Sequence, residues 1–251
     1  AAYSFKNAID SCTGEIIIFC DQDDIWLPNK IEIIEKAFNE TLNLDYVISN
    51  ANIIDDESNY LGYSLWAQRK FSKYWRNQFN SGYQFKVLQK KNIITGMTTA
   101  ISKRVKELGN NKPSHVLHDA WYIYIASING LNGKLIDKSL INYRQHKNQQ
   151  FGSTKHKNWD RISNLLKGNH KSVNINIKIL EPIVEYTIQI FKEDIDNPKL
   201  IFLKDKLNHF KARKVIIESK RILRLNKIIL EILRGRYYKF SSLKNTLIDF
   251  I

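Results

Sequence analysis

A short apolar run near the start of the chain ends abruptly in acidic residues. Residues 16–20, Ile-Ile-Ile-Phe-Cys, are followed directly by Asp21, Gln22, Asp23 and Asp24. An uninterrupted run of β-branched and aromatic residues of this length predicts a strand buried on both faces. Ligands of open α/β sheets bind beyond the carboxyl ends of such strands. The pattern therefore places three carboxylates at a ligand-binding edge of a predicted α/β sheet.

Helical and strand-like patterns alternate along the first three-fifths of the chain. Apolar residues at helical spacing predict helices, and continuous apolar runs predict strands. The predicted helices cover residues 2–12, 31–42 and 85–88, with another starting at residue 119, and the predicted strands cover residues 44–49, 93–102, 134–137 and 140–143. Turn formers at residues 50–63 predict a hairpin. The aromatic and basic residues 65–80 predict a long loop packed onto the core, with stacking on sugars as the alternative.

From residue 173 onwards, apolar residues recur at helical spacing among basic neighbours. The two clearest stretches contain Ile175, Ile179, Ile183 and Val184, and then Ile222, Leu225, Ile229 and Leu233. Two interpretations stay open: a helical hairpin packed on itself or on the rest of the chain, and a basic amphipathic helix at a membrane interface. The pattern predicts an α/β domain over residues 1–154 and a basic α-helical region over residues 155–251.

The charge of the chain narrows the classes of partner. The formal net charge is +14, and residues 201–251 carry 13 Lys or Arg against 4 Asp or Glu, a net +9. This excess suits an anionic membrane surface, a nucleic acid or an acidic glycan carrier, and a solvated helical face explains it equally. No nucleic-acid-binding motif is present, so nucleic acid ranks low. Two cysteines and no bilayer-length apolar run predict a cytoplasmic protein, with peripheral contact to the inner face of the membrane.

The acidic residues after the predicted strand have two interpretations. Neighbouring carboxylates such as Asp21 and Asp23 repel one another, and Mg²⁺ or Mn²⁺ relieves the repulsion and in turn holds a diphosphate. Alternatively, the acids cap the helix that follows Pro28. Spacing alone does not separate these alternatives.

The same stretch resembles a known family. The segment Phe-Cys-Asp-Gln-Asp-Asp-Ile-Trp-Leu-Pro-Asn-Lys, residues 19–30, resembles the Asp-x-Asp region of family 2 glycosyltransferases of the bacterial rhamnosyltransferase-like subgroup. The resemblance implies a GT-A fold, a Rossmann-like mixed sheet flanked by helices. It also implies a divalent metal that holds a nucleotide-sugar diphosphate, with Asp21 and Asp23 as its ligands. In that family a nucleotide-binding βαβ segment precedes this point, so the resemblance further implies a domain truncated at its N-terminus.

Two later segments acquire roles from the resemblance. The sequence His-Asp-Ala-Trp at residues 118–121 is similar to the motif in which inverting GT-A enzymes carry the catalytic base, which points to Asp119. A structural N-cap is the alternative for this carboxylate. Trp121 belongs to the same motif and is assigned to substrate binding. Gly96 lies within a predicted strand, where glycine marks a bulge or a close approach to ligand, and the family places it in the donor pocket.

A third segment, Tyr-Arg-Gln-His at residues 143–146, is similar to the family's region that closes over the diphosphate. Arg144 is assigned to phosphate binding because a guanidinium matches phosphate oxygens. His146 is assigned to the metal or a phosphate, since neutral imidazole ligates metals.

These features predict an inverting glycosyltransferase that moves a sugar, with rhamnose from dTDP-rhamnose as one candidate, onto a surface polysaccharide. Its partners would be a nucleotide-diphosphate sugar and a glycan or lipid-linked glycan acceptor. The alternative is a non-catalytic remnant that binds glycan or membrane. A nucleotidyl or phosphoryl transferase ranks lower, because the chain has no glycine-rich phosphate loop.

Overall fold

The computed structural model describes residues 2–110, 113, 116–145 and 161–251, and side chains throughout these ranges except in residues 2–4, 161–168 and 243. Two compact units, residues 1–153 and residues 154–251, are described separately below. None of the helices in the described ranges is long and apolar enough to cross a bilayer.

The first unit is a mixed sheet flanked by helices. Its strands are β1 Ile16–Ile18, β2 Ile25–Trp26, β3 Leu44–Ile54, β4 Tyr60–Ser64, β5 Thr99–Ser102 and β6 Asn132–Arg144. Its helices are α1 Ala2–Ser11, α2 Lys30–Glu40, α3 Leu65–Gln68, α4 Lys73–Asn80, α5 Gln84–Lys90, α6 Lys103–Leu108 and α7 His118–Ile128, with a 3₁₀ turn at Gly96–Thr98. The strand order is β1-β5-β3-β6-β2, and β4 pairs with β3. Among the strand pairs of the described residues, β3–β6 is parallel and the others are antiparallel.

The core of this unit is built around β3. Tyr46, Val47, Ile48, Ala51 and Ile53 are fully buried, as expected for a central strand whose two faces are both covered. The edge strand β1 differs from its predicted form. It is only three residues long, and among the described residues it pairs with β5 alone. As an edge strand it leaves Ile16 and Ile18 half-buried, with Ile17 buried, so the prediction of burial on both faces is wrong.

Two further predictions change in detail, and a third is confirmed. The two short strands predicted at residues 134–137 and 140–143 form one strand, β6, which carries register shifts where it pairs with β3. The predicted loop at residues 65–80 contains helices α3 and α4, and it buries Trp66, Phe71 and Phe79 in the core. The hairpin predicted at residues 50–63 is present as the antiparallel pair of β3 and β4.

The second unit is helical. It contains α8 Arg161–Ile190, α9 Pro198–Glu218, α10 Arg221–Leu233, α11 Arg236–Phe240 and α12 Leu243–Phe250. Helices α8 and α9 pack side by side and bury Ile183 and Leu203 completely. Asn197 caps α9, since its side chain accepts from the Lys199 N–H at 3.0 Å.

A buried polar network joins the helices of this unit. The carboxylate of Asp249 accepts hydrogen bonds from Arg213 Nε at 2.7 Å, Arg213 Nη2 at 2.9 Å and the Tyr237 hydroxyl at 2.7 Å. Its Oδ1 also accepts from Asn169 Nδ2 at 2.7 Å. Because the buried charges are opposite and their hydrogen bonds are made, the pair avoids the cost of an isolated buried ion.

His209 extends the network. Its Nδ1 lies 2.8 Å from Glu231 Oε2 and its Nε2 lies 2.9 Å from Ser241 Oγ. Burial lowers the pKa of His209, although Glu231 opposes the shift. The neutral ring therefore donates from Nδ1 to the carboxylate and accepts the Ser241 hydroxyl hydrogen at Nε2. His209 thus ties α9 to α10 and to Ser241, the residue that follows α11.

Candidate active site

The acidic turn between β1 and β2 is anchored to the sheet on both sides. Before it, the buried Phe19 donates its N–H to the carbonyl of Thr99 in β5 at 3.2 Å. After it, Leu27 donates to the carbonyl of Leu140 in β6 at 3.0 Å. The turn therefore sits where the strand carrying the apolar run stops, as the sequence pattern predicts, with its carboxylates beyond the end of β1.

Gly96 brings two carboxylates and an imidazole to one point. A Cβ atom placed on Gly96 would lie 3.8 Å from Asp21 Oδ2, 3.8 Å from Asp119 Oδ2 and 3.2 Å from His118 Nε2. Twice 3.8 Å is the largest possible separation, so Asp21 Oδ2 and Asp119 Oδ2 lie within 7.6 Å of each other. These residues come from three elements far apart in sequence. The structure therefore unites Asp21, Gly96 and Asp119, although Gly96 belongs to a 3₁₀ turn rather than to the middle of a strand.

His118 is fixed at the site by aromatic packing. Its ring stacks on Phe5 of α1 with centroids 3.8 Å apart, and meets Phe19 edge-on at 5.2 Å. This packing sets the position of the first turn of α7, which also carries Asp119. The Asp119 side chain accepts the N–H of Ala120 at 2.8 Å, so the structure gives it a main-chain contact at the helix start as well as a place beside Asp21.

The carboxylates of the site hold protons more tightly than free carboxylates do. Burial raises the pKa of Asp21, and the negative charges of Asp119 and Asp23 raise it further. Burial also raises the pKa of Asp119, although main-chain N–H groups of Ala120 and Gly96 oppose the shift. Two carboxylates at short range repel each other when both are ionised. A bound cation or a proton relieves this repulsion.

Asp24 carries the strongest perturbation in the turn. Burial raises its pKa to about 7, and Asp23 and Asp21 contribute in the same direction. Its Oδ1 accepts the main-chain N–H of Arg144 at 2.9 Å. Its Oδ2 is buried and has no hydrogen-bond partner within the described part of the chain. A buried carboxylate oxygen in this condition is costly unless a proton or a cation compensates it.

Lys30 supplies a positive charge beneath the turn. Although it is a lysine, only 1% of it is exposed. Its Nζ donates to the carbonyl of Met97 at 2.9 Å and lies 3.7 Å from the centroid of the Trp26 ring. Burial lowers its pKa to about 8, while Asp24 and Asp21 act in the opposite direction. The ammonium group therefore links α2 to the Gly96 turn and partly balances the acids.

Arg144 holds the acidic turn through main-chain contacts. Its Nε donates to the carbonyl of Asp23 at 3.0 Å, and its Nη1 donates to the carbonyls of Asp55 and Asp56 at 3.1 and 2.9 Å. These bonds give Arg144 a positioning role, and its assignment to phosphate binding stays a prediction. His146 lies outside the described residues, and its assigned roles stay predictions.

Trp121 is buried in the first turns of α7. The indole is 2% exposed and its Nε1 donates to the carbonyl of Gly109 at 2.8 Å. A side chain buried in this way and satisfied by the main chain packs α7 onto the unit. The assignment of Trp121 to substrate binding stays a prediction.

The donor set fits a divalent cation only in combination with a substrate. No group of three or more His, Cys, Asp or Glu side chains with metal-site geometry occurs among the residues that the structure describes. Mg²⁺ characteristically uses one or two carboxylates together with substrate phosphates and water. Asp21 and Asp23 are the residues that would hold such an ion. The negative charges of both raise the pKa of Asp24, and that of Asp23 also raises the pKa of Asp21.

The N-terminal part of the chain matches a known family model. Residues 1–109 match the family model described as glycosyl transferase family 2. The matched segment is 109 of the 251 residues. The match includes the acidic turn and Gly96, whereas Asp119 and Arg144 follow it in sequence. The mixed sheet flanked by helices, followed by a helical region, is consistent with the GT-A-like fold, and that fold prediction is confirmed. A comparison with curated protein sequences gives no match for the chain.

Proposed function

We propose that the chain is an inverting glycosyltransferase that uses a nucleotide-diphosphate sugar as donor. The observation that carries this proposal is the convergence of Asp21 and Asp119 at Gly96, both 3.8 Å from the same point. One carboxylate follows a sheet strand in a turn rich in acids, and the other begins a helix. Donor diphosphate and acceptor hydroxyl thus have separate acidic partners within one small site.

In the proposed reaction, Asp119 acts as the general base. Its carboxylate takes the proton from the acceptor hydroxyl while the hydroxyl oxygen attacks the anomeric carbon. The new carbon–oxygen bond forms on the face opposite the phosphate oxygen, whose bond to the anomeric carbon breaks. The nucleoside diphosphate leaves with the bonding electrons, and the configuration at the anomeric carbon inverts. The raised pKa of Asp119 suits this task, because a stronger base accepts a proton more readily.

The acidic turn would hold the donor. A divalent ion, Mg²⁺ or Mn²⁺, when bound by Asp21 and Asp23 would neutralise charge on the departing diphosphate. Arg144 holds the acidic turn through its bond to the Asp23 carbonyl, and Lys30 ties α2 to the Gly96 turn through its bond to the Met97 carbonyl. Gly96 leaves room for the sugar, because any side chain there would project between the two carboxylates.

The finer assignment follows the family resemblance of residues 19–30. It names rhamnose from dTDP-rhamnose as the sugar and a surface polysaccharide, free or lipid-linked, as the acceptor. A cytoplasmic site of action against the inner face of the membrane belongs to the same proposal.

A donor screen tests the function. The chain is incubated with Mn²⁺ and a panel of nucleotide sugars that includes dTDP-rhamnose, and the release of nucleoside diphosphate is measured with and without glycan acceptors. We expect acceptor-dependent release with one donor class. Calorimetry with the corresponding nucleoside diphosphate separates the two outcomes of a negative screen. Metal-dependent heat would indicate a donor site that lacks its acceptor, and no heat at any metal concentration would contradict the proposal and favour a non-catalytic module.

A further inference from the structure

Helix α10 has its apolar side facing outwards. Of its apolar residues, only Ile228 is buried. The apolar residues that are exposed are Ile222, Leu223, Leu225, Ile229, Leu230, Ile232 and Leu233. The largest exposed fractions are 85% for Ile222 and 79% for Leu233. At 3.6 residues per turn these seven side chains cover about half of the helix circumference. We call this surface the α10 outer face.

The inward side of α10 is polar, and its polar groups are fixed. Arg224 donates to the carbonyls of Ser219 and Ile217 at 3.1 and 2.9 Å, and Lys227 donates to Ser219 Oγ at 2.6 Å. Glu231, 2% exposed, lies 2.8 Å from His209. Rolling the helix to bury its apolar side would break these bonds and expose a buried carboxylate partner. The outward orientation of the apolar residues is therefore built into the unit.

An exposed apolar face of this size marks an interaction surface, and the surrounding charges select the partner. Lys220 precedes the helix, Arg221 is its first residue and Arg234 follows it, and all three are exposed. Residues 201–251 as a whole carry a net charge of +9. A second copy of the chain docked on the same face would bring these cations together and be repelled. An anionic membrane has an apolar interior and a negatively charged surface. It therefore matches both the apolar face of α10 and the cations beside it.

We propose that the α10 outer face binds an anionic lipid surface, with the helix lying parallel to the membrane plane. The seven apolar side chains enter the boundary between headgroups and acyl chains, and the flanking cations contact lipid phosphates. The apolar side chains determine how deeply the helix inserts, and the cations determine its selectivity for negatively charged lipids. This inference stands on the second unit alone and does not depend on the proposed sugar transfer.

Vesicle co-sedimentation tests the proposal. Wild-type protein is compared with the triple variant I222E/I229E/L233E, using vesicles of phosphatidylcholine with about one-quarter phosphatidylglycerol. We expect the triple variant to bind at least about tenfold more weakly. The matched control is I195E/V215E/L247E, which places three acids at other exposed apolar positions of the same unit and changes the net charge equally. The single variants I222E and L233E alter the two most exposed positions. Each should weaken vesicle binding while adding only one charge to the helix.

Variants that remove a positive charge test whether the α10 outer face binds lipid or another partner. Arg221→Gln should weaken binding to anionic vesicles about fivefold, as expected for one cation near a negative surface. Binding to pure phosphatidylcholine should be much weaker for every variant. Three results would overturn the proposal: no vesicle binding by the wild type, equal losses in the triple variant and its control, or concentration-dependent self-association that I222E/I229E/L233E abolishes in the absence of lipid.

Discussion

Gly96 has no side chain at the point where Asp21 and Asp119 approach each other. The nearest atoms to a Cβ there belong to His118, Asp119 and Asp21, which are the polar groups of the candidate site. The backbone of Gly96 does not need a glycine conformation, since its φ lies outside the left-handed region. The requirement is one of space, and space between two carboxylates is what a substrate would occupy.

Gly96→Ala tests this requirement. The new methyl group would lie 3.2 Å from His118 Nε2, so the ring held between Phe5 and Phe19 would have to shift. We expect kcat/KM for sugar transfer to fall by about 10-fold to 100-fold, the effect of misplacing reacting groups by a fraction of an ångström to one ångström. The thermal midpoint should change little. Gly14→Ala is the control, because only the carbonyl of Ile16 lies near its Cβ, at 3.5 Å. Equal activity of the two variants would show that the space at Gly96 is not used.

At the scale of elements, Arg144 and Lys30 hold the turns of the candidate site. The sequence assigns Arg144 to another role and assigns no role to Lys30. The end of an apolar run is a local signal, so the position of the turn was predictable from the sequence. Lys30 was not predictable as a buried group, because hydrophobic patterning places lysine in solvent. Its partner, the Met97 carbonyl, is 67 residues away. Arg144 lies in a motif that favours phosphate binding, and only the fold shows the three carbonyls that its Nε and Nη1 contact.

Lys30→Met tests the link between α2 and the Gly96 turn. The change removes the donor to the buried Met97 carbonyl and the positive charge near Asp21 and Asp24. We expect the free energy of unfolding to fall by about 1–3 kcal/mol, the cost of leaving a buried acceptor unpaired. Urea denaturation followed by tryptophan fluorescence measures it, since four of the five tryptophans lie in residues 1–153.

The matched control for this change is Lys36→Met on the same helix. Lys36 is exposed and pairs with the exposed Glu40 at 3.6 Å, so its loss should cost no more than about 0.5 kcal/mol. If Lys30→Met is as stable as Lys36→Met, burial of the ammonium costs as much as its contacts return, and Lys30 does not stabilise the turn.

At the scale of the whole molecule, the two units differ in which side chains they bury and which they expose. The first buries its apolar residues around β3 and leaves acids at the sheet edge. The second buries a network of Arg213, Asp249, His209 and Glu231 and leaves the apolar side of α10 outside. Periodicity alone predicts that such a helix turns its apolar side inwards. The orientation is set instead by the hydrogen bonds that Arg224, Lys227 and Glu231 make inside the unit.

The buried histidine makes the second unit sensitive to acid. Burial lowers the pKa of His209 in the folded chain, whereas in the unfolded chain it is near 6.5. The unfolded state therefore binds more protons below about pH 6.5, and stability falls as the pH falls through the lowered pKa. The slope for one proton is at most about 1.4 kcal/mol per pH unit.

Urea denaturation followed by helical circular dichroism at pH 7.5 and pH 5.5 measures this loss. We expect His209→Gln to be less stable at pH 7.5 than the wild type, and to lose less stability between the two pH values. His170→Gln, at an exposed position of α8, should keep the pH dependence of the wild type. If His209→Gln keeps it too, another group is responsible.

The central claim is that Asp119 faces the acidic turn across Gly96 and removes a proton from the acceptor. The most direct measurement compares sugar transfer by the wild type and Asp119→Asn, together with the affinity of each for the donor. Asparagine keeps the shape of the side chain and cannot accept the proton, so we expect the transfer rate to fall by at least about 10²-fold. Donor affinity and the thermal midpoint should remain close to the wild-type values. Transfer by Asp119→Asn at the wild-type rate would contradict the account.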